Sequence, residues 1–349
     1  MIDPHVHTRD WDQSEKETMR HALSVASLGG FSTLFDMPNT SPPLTFPHLI
    51  SKRLEEGLLI TKELEREKGV EMHYCVYGGL TSDPSQIETL VTLYRHLFPH
   101  LIGFKLFAGH STGNMGVTTV HLLREVYGAL KRSHYKGVLA VHCEDESLIR
   151  NDLFTLENPI SHTIARPKEA EISSLEQQIA LCKETSFEGT LHICHISTKE
   201  AIEMVNYHKG RGMNITCGAT PHHALLDESL METQGLLAKM NPPLRSKEDC
   251  EAVFNGLIDG SIDWIESDHA PHTIEDKLNG ASGIPGFGGT LTLIRRLRES
   301  GVEEEHLDSL LGNRVNEVYH TDFPVMVPSN LSIDEVVGRI IGEYPFTIF

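Results

Sequence analysis

Residues 101–143 read LIGFKLFAGHSTGNMGVTTVHLLREVYGALKRSHYKGVLAVHC. Two nearly continuous apolar runs, at 101–107 and 137–143, predict strands that are buried on both faces of a parallel sheet. The stretch 118–133 between them predicts a helix. This succession of strand, helix and strand is typical of α/β folds.

The same alternation continues in both directions from this unit. Further strands are predicted at 2–6, 31–37, 70–77, 189–195, 213–219 and 261–268. Further helices are predicted at 14–28, 48–68, 167–185, 198–209 and 246–257, the first with Ser14 and Glu17 as a capping box. Eight strands alternating with helices over about 270 residues predict a (β/α)₈ barrel at 1–320, followed by a C-terminal tail at 321–349 that packs on it. A doubly wound open sheet stays the alternative, because periodicity does not show whether a sheet closes.

The composition excludes several classes of function. The 349 residues contain 30 Lys+Arg against 49 Asp+Glu, and this net charge of −19 argues against nucleic-acid or anionic-membrane binding. No stretch approaches the roughly 20 apolar residues of a transmembrane helix, and the start MIDPHVHTRD does not resemble a signal peptide. Six scattered cysteines without a CxxC pair argue against a disulfide framework and favour a cytoplasmic location. The 21 histidines indicate a metal site.

Ligand-type side chains stand at the ends of five predicted strands. His5 and His7 are two residues apart on one strand, so their imidazoles point to the same face. In a barrel, polar residues at the C-terminal ends of the strands converge and tend to be catalytic. Imidazole and carboxylate ligands without a thiolate cluster suit Zn²⁺, with Mn²⁺, Co²⁺ and Fe²⁺ as alternatives. The other candidates at strand ends are Lys105, His142, His195 and Asp268.

Lys105 needs its own explanation, because a buried unpaired cation is costly and an ammonium group cannot bind a metal. One explanation is an ion pair with Glu144, Asp145 or Asp268. The other is that burial favours the neutral amine, which reacts with CO₂ to a carbamate whose two oxygens can bridge two metal ions. A hydroxide shared by the metals would then attack an amide-like carbonyl, with Asp268 as general base and later general acid. Beside candidate ligands from four other strand ends, we favour the carbamate.

Three further residues are candidates for recognising a substrate carboxylate. Arg9 continues the alternation of the first strand, Asn39 follows the second strand, and His272 lies four residues beyond Asp268. An arginine fork suits a carboxylate, and Asn and His can donate to its other lone pairs. Ordinary loop capping is the alternative for all three. Of two glycine-rich segments, 109–116 is a candidate lid, and 280–289 can bring backbone N–H groups close to a ligand.

Nine segments, in order through residues 1–320, carry a family resemblance. They are DPHVHTR, DMPNT, GFKLF, VHCED, LHICHIS, TCGATPHH, NPPLR, SDHAPH and GIPGFGG. These segments make the chain similar to the amidohydrolase superfamily and, within its cyclic-amidase branch, to the dihydroorotases. Arg9 completes the H-x-H-x-R pattern of dihydroorotases, whereas allantoinases and hydantoinases usually lack this arginine.

The resemblance implies a binuclear zinc site that is bridged by carboxylated Lys105. One metal would be held by His5, His7, Lys105 and Asp268, and the other by Lys105, His142 and His195. Arg9, Asn39 and His272 would bind the substrate, and Asn241 would approach its ring. Gly218 stands where some relatives have an acidic residue, which argues against a further metal at that position.

The resemblance also implies a reaction and partners. The reaction is the reversible hydrolysis of dihydroorotate to N-carbamoyl-aspartate in pyrimidine biosynthesis. The family further suggests a homodimer and association with aspartate carbamoyltransferase. The alternatives are another cyclic amidase, acting on allantoin or a hydantoin, and a non-catalytic scaffold for a carbamoyltransferase. Most sequences with these motifs carry a β-segment before H-x-H, so we expect the usual small β-sandwich to be missing or reduced.

Overall fold

Eight parallel strands form a single sheet in which the strand order follows the chain. The computed structural model describes residues 1–109 and 115–349. The strands are β1 (Ile2–Val6), β2 (Thr33–Asp36), β3 (His73–Gly79), β4 (Leu101–Phe107), β5 (Val138–His142), β6 (Thr190–Ile193), β7 (Ile215–Ala219) and β8 (Trp264–Ile265). A parallel bridge between Val6 and His269 joins the first strand to the segment that follows the last one. The predicted barrel is therefore confirmed, and the open-sheet alternative is wrong.

Helices surround this barrel and connect its strands. Within the described residues they are α1 (Met19–Leu28), α2 (Pro47–Lys68), α3 (Pro84–Leu97), α4 (Val120–Arg132), α5 (Ser161–Ala165), α6 (Lys168–Thr185), α7 (Lys199–Lys209), α8 (Pro221–Leu225), α9 (Leu230–Gln234), α10 (Lys247–Asp259), α11 (Ile274–Leu278), α12 (Phe287–Glu299), α13 (Glu304–Asp308), α14 (Arg314–Tyr319) and α15 (Asn330–Gly342). Thr198 and Ser246 cap α7 and α10, because each side chain accepts a hydrogen bond from a backbone N–H in the first turn.

The barrel interior is apolar at the end opposite the predicted ligands. Strand residues that include Phe35, Tyr77, Ile102 and Trp264 pack there against Tyr319 of α14. The hydroxyls of Tyr77 and Tyr319 are 2.6 Å apart, so they satisfy each other in this apolar surrounding. Because the outer faces of the strands are also covered by helices, the strands are buried on both sides and appear in the sequence as continuous apolar runs.

Two predicted strands are shorter than the sequence indicates. The runs 189–195 and 261–268 were expected to be strands throughout, but β6 and β8 end earlier. His195 has a φ of +39° and Asp268 a φ of +47°. A residue in this left-handed region cannot continue a strand. Both side chains therefore lie beyond the strands, at the mouth of the barrel.

The predicted capping box at Ser14 and Glu17 is wrong. Helix α1 begins at Met19, and Thr18 is its N-cap. The Glu17 carboxylate is buried and bonded elsewhere, because it lies 2.9 Å from His269 Nε2 and accepts a 2.9 Å hydrogen bond from the Tyr344 hydroxyl. Glu17 thus links the segment after β1 to the segment after β8 and to the C-terminal residues.

The C-terminal residues contact the barrel helices. Helix α15 packs on α12. Phe346 and Ile348 join an apolar cluster that contains Met240. A side chain at Gly289 would begin 2.3 Å from the Phe349 ring, so the C-terminal residue packs directly on this position of α12. The division of the chain at residue 320 stays a prediction.

Three other expectations concern what surrounds the barrel. Every named strand in residues 1–109 and 115–349 belongs to the barrel sheet, so the described part of the chain holds no β-sandwich. The candidate lid at 109–116 falls mainly on residues 110–114, which lie outside the described residues. None of the helices in the described residues is both long and apolar enough to cross a membrane.

Replacing Tyr344 with phenylalanine should lower the free energy of unfolding by about 1 kcal/mol. The change deletes the hydrogen bond to buried Glu17 and keeps the ring. Urea unfolding, followed by circular dichroism, would measure the difference. Tyr207→Phe is the matched control, because Tyr207 is 54% exposed. Equal stability of the Tyr344 variant and the parent chain would contradict the prediction.

Candidate active site

A cavity opens at the C-terminal mouth of the barrel, where polar side chains from different strands meet. The structure brings all six predicted metal ligands to its wall, and all six are buried. These residues are His5, His7, Lys105, His142, His195 and Asp268. Parallel strands present their C-terminal ends at one edge, and this explains why residues far apart in sequence converge here.

The first group of ligand-type atoms is formed by His5, His7 and Asp268. Asp268 Oδ1 lies 3.0 Å from His7 Nε2 and 3.4 Å from His5 Nε2. The other ring nitrogen of His7 lies 2.8 Å from Asn39 Oδ1, to which it can only donate. A neutral His7 then turns the lone pair of Nε2 toward a carboxylate oxygen. A cation among these three groups would remove that repulsion, and two imidazoles with one carboxylate suit Zn²⁺.

The second group is formed by His142 and His195. His142 Nδ1 lies 3.0 Å from His195 Nε2, and His142 Nε2 lies 2.8 Å from Glu144 Oε2. Glu144 also accepts a 3.0 Å hydrogen bond from Arg166. The carboxylate fixes the proton of His142 on Nε2 and directs the Nδ1 lone pair toward His195, an arrangement that is common among metal-binding histidines. His195 Nδ1 has no hydrogen-bond partner within the described residues.

Lys105 is fully buried between the two groups of histidines. Its Nζ donates to Cys194 Sγ at 3.0 Å and lies 5.1 Å from the centre of the Phe107 ring. An ion pair would need the carboxylate of Glu144, Asp145 or Asp268, but each of these carboxylates contacts other groups instead. The described part of the chain therefore lacks the ion pair that the alternative explanation of Lys105 required.

The charges at the first group follow from burial and close contacts. Burial alone would raise the pKa of Asp268, but contacts with His7 and His5 hold this pKa well below its usual range. Burial lowers the pKa of His7 to about 4. For His5, burial lowers the pKa but Cys194 and Glu266 outweigh it, so the pKa rises to about 10. Asp268 is thus anionic at neutral pH and His7 is neutral, as metal ligands must be, whereas His5 carries a proton that a metal would displace.

The three predicted recognition residues lie together in a recess next to this cavity. Arg9, Asn39 and His272 line the recess, and Ser282 lines both the recess and the cavity. Arg9 is 3% exposed; its Nε donates to the Pro271 carbonyl at 3.1 Å, and its Nη2 lies 3.1 Å from His272 Nε2. Burial, and then the charge of Arg9, lower the pKa of His272 to about 2. The recess therefore presents a fixed cation beside a neutral imidazole.

Asn241 is oriented by two residues that the sequence analysis did not select. Lys239 Nζ donates to Ser282 Oγ at 2.6 Å, and Ser282 Oγ donates to Asn241 Oδ1 at 3.1 Å. The amide nitrogen of Asn241 is then left to face the cavity as a donor. Gly283 also lines the cavity with a φ of +133°, and a side chain there would begin 2.6 Å from the Ala270 carbonyl oxygen. Backbone of the predicted glycine-rich segment does approach the cavity here.

Three charged groups lie beneath the ligands, of which the sequence analysis did not predict Arg166 or Glu266 and named Glu144 only as a possible partner of Lys105. All three are buried and bond to other buried polar groups. Glu144 and Glu266 each lie two residues from a predicted ligand, His142 and Asp268 respectively. This spacing was the available signal, because a buried carboxylate near a histidine often orients it.

Solved structures share this fold. An L-hydantoinase from Arthrobacter aurescens superposes with a TM-score of 0.76 at 22% identity, over 91% of this chain and 70% of that one. A dihydroorotase from Campylobacter jejuni superposes with a TM-score of 0.68 at 20% identity, over 92% of this chain and 83% of that one. At these identities the likeness concerns the fold alone.

Curated relatives are closer in sequence. A dihydroorotase from Lactobacillus gasseri is 34% identical over 315 residues, which are 89% of this chain and 69% of the relative. A dihydroorotase from Lactobacillus acidophilus is 32% identical over 314 residues, with the same two coverages. A scan against protein-family models gave no match. The identity extends over most of both chains, and the chain belongs to the dihydroorotase family.

Proposed function

We propose that this chain catalyses the reversible hydrolysis of dihydroorotate to N-carbamoyl-aspartate. The observation that carries the proposal is the position of Arg9, a buried cation in a recess that shares Ser282 with the cavity. Dihydroorotate has a carboxylate and a ring amide carbonyl close together. A guanidinium can bind the carboxylate through a charge-assisted pair while the ring lies in the cavity. The curated relatives named dihydroorotase support the same substrate.

The polar groups of the substrate would have complementary partners in both the cavity and the recess. Arg9 and Asn39 would hold the carboxylate, together with His272 in its neutral form. Asn241 would donate from its amide nitrogen to the ring, in the orientation that Ser282 imposes. Because these side chains are already fixed by hydrogen bonds, little ordering is needed when the ring binds.

The residues present fit two metal ions. His5, His7 and Asp268 would hold one ion, His142 and His195 the other, and carboxylated Lys105 would bridge them. Zinc is the proposed metal, with Mn²⁺, Co²⁺ and Fe²⁺ as alternatives. Metal ions bound there would polarise the ring carbonyl and make water a stronger nucleophile near neutral pH.

Asp268 is the proposed general base and acid. Its Oδ1 faces the two histidines, so Oδ2 is the oxygen that is left to face the cavity. Oδ2 would accept a proton from the attacking water and return it to the ring nitrogen as the amide bond breaks. The low pKa of Asp268 keeps it unprotonated before the reaction.

Two other activities remain as competing hypotheses. A hydantoinase or allantoinase would share the barrel and the ligands, but a neutral ring gives no role to the buried charge of Arg9. A scaffold for a carbamoyltransferase would not need six converging ligand-type residues. A homodimer, association with aspartate carbamoyltransferase and a cytoplasmic location are further proposals from the family resemblance, and the last is supported by six free cysteines.

Turnover of dihydroorotate, allantoin and hydantoin by the purified chain, with zinc and bicarbonate supplied, tests the proposal directly. We expect turnover of dihydroorotate alone. Turnover of allantoin or hydantoin alone would contradict the assignment of dihydroorotate as the substrate but would agree with the proposed metal chemistry. If the chain turned over none of the three substrates and also bound no metal, the proposed enzymatic function would be wrong and the scaffold hypothesis would be favoured.

Replacing Arg9 with alanine should raise KM for dihydroorotate by about 10- to 100-fold, since a hydrogen bond to a charged group contributes about 1.5–3 kcal/mol. Steady-state kinetics would measure KM and kcat. Arg20→Ala is the control, because Arg20 forms ion pairs with Glu63 and Glu67 on the surface. An unchanged KM in the Arg9 variant would favour a substrate without a carboxylate.

A further inference from the structure

Glu266 lies at the centre of the polar groups beneath the cavity. It follows β8 directly and is 1% exposed. Its Oε2 accepts from His192 Nε2 at 3.0 Å and from Trp264 Nε1 at 3.1 Å. These two contacts hold the carboxylate in place from the side away from the cavity.

The other carboxylate oxygen faces two of the proposed metal ligands. Glu266 Oε1 accepts from the backbone N–H of His195 at 2.5 Å and lies 3.4 Å from His5 Nδ1. His5 Nδ1 has no hydrogen bond to any other group in the described residues. Since His5 Nε2 faces Asp268, a proton on Nδ1 would be directed to Glu266 and the Nε2 lone pair to the proposed metal.

The contact with His195 involves a strained backbone. His195 adopts a left-handed conformation with a φ of +39°, which a residue with a side chain holds only when its surroundings fix it. The hydrogen bond from its N–H to Glu266 is such a constraint. One carboxylate therefore contacts one ligand of each proposed metal.

Gly218 provides the space for this carboxylate. A side chain at position 218 would begin 2.4 Å from Glu266 Oε2 and 2.5 Å from its carboxyl carbon. Strand β7 thus leaves space at Gly218, and Glu266, directly after β8, fills this space with its carboxylate. Gly218 stands where some relatives have an acidic residue, and its missing side chain leaves room for the carboxylate of Glu266.

We propose that Glu266 is a positioning residue that aligns His5 and His195 for binding of the two metal ions. The inference rests on the proposed function of the same site and deepens it. Glu266 is not one of the proposed ligands of the two metals; it would act through the ring of His5 and the backbone of His195. Partners of this kind typically change metal affinity by about 10–100-fold when they are removed.

The test compares zinc binding by the parent chain and Glu266→Gln, each stripped of metal and titrated with zinc against a competing chelator. Glutamine keeps the shape but supplies one acceptor oxygen instead of two, so it cannot serve both His195 and His192 as the carboxylate does. We expect zinc affinity to fall by about 10- to 100-fold. We also expect the visible absorption spectrum of the Co²⁺-loaded variant to change, because the His5 ring is no longer held.

Two comparisons separate this proposal from a loss of stability and from failure of the proposed function. Asp263→Asn removes another buried carboxylate at the opposite end of the same strand, where it pairs with Lys209 and Arg314, and should bind zinc like the parent chain. Equal zinc affinity and an identical Co²⁺ spectrum in Glu266→Gln would overturn the positioning role. A parent chain that binds no zinc would instead overturn the proposed function itself.

If Glu266→Gln does not fold, Glu266→Asp keeps the charge and withdraws it by one methylene group. Its zinc affinity should also fall, since the shorter side chain cannot reach both His195 and His192. Unchanged affinity in this variant would count equally against the proposal.

Discussion

Asp268→Ala is expected to abolish measurable turnover of dihydroorotate while leaving the barrel folded. General acid–base catalysis contributes about 10²–10⁴-fold to a rate, and the same residue is also a proposed metal ligand, so the loss should exceed that range. The side chain is buried in the cavity wall and belongs to no strand or helix, which is why we expect the fold to persist.

The measurements are kcat with zinc in excess, metal content by mass spectrometry and the circular dichroism spectrum. Asp263→Asn serves as the control for removal of a buried acid next to β8, because Asp263 precedes the strand and pairs with Lys209 instead of the proposed metal ligands. Turnover of the Asp268 variant within a few-fold of the parent rate would refute its role as general base.

Lys105→Met is expected to abolish turnover without destabilising the chain. Methionine fills a similar volume but cannot be carboxylated, so the bridge between the proposed metals is lost. The parent lysine is fully buried, and its Nζ donates to Cys194 Sγ but to no carboxylate among the described residues. Replacing this polar buried group by an apolar one of similar volume should leave the metal-free chain equally stable or more stable.

Lys277→Met provides a matched contrast for stability. Lys277 is also fully buried, but its Nζ donates to the carbonyls of Lys239, Ala281 and Gly283. Its removal takes the Nζ donor from the Ala281 and Gly283 carbonyls, whereas the Lys239 carbonyl keeps the Gly283 N–H. This loss should cost about 1–3 kcal/mol. Urea unfolding of both metal-free variants gives the comparison, and an intact-mass measurement of the parent chain in bicarbonate detects the carbamate.

Two outcomes would contradict the prediction for Lys105. Substantial turnover by Lys105→Met would show that no bridge from this side chain is needed. A loss of stability as large as that of Lys277→Met would show that the lysine serves the fold through a partner, as an ordinary buried cation does.

The pattern of apolar runs was sufficient to predict the barrel because it reports burial. A strand that is covered on both faces needs apolar residues at every position, and this requirement is local in sequence. The same reasoning placed His5, His7 and Lys105 at the mouth of the barrel, because the C-terminal end of a parallel strand has a known place in this fold.

Local patterns failed where a residue serves a distant partner. Ser14 and Glu17 match a capping box, yet Glu17 bonds to His269 and Tyr344, which are far away in the chain. The runs that end in His195 and Asp268 look like strands, yet contacts from other strands hold both residues in left-handed conformations. Local preference was overruled in each case by interactions that form only when the barrel closes.

The sequence by itself determined the fold class, the family and the set of candidate metal ligands, since each depends on residue type and spacing. Only the tertiary structure decided how those side chains are held. Glu266 between His5 and His195, and Arg9 beside His272, are contacts across strands and loops whose geometry no spacing encodes. Closure of the barrel and strand register fix these distances. The resulting contacts decide which nitrogen of a histidine faces the proposed metal and how the buried Arg9 is placed to bind a carboxylate.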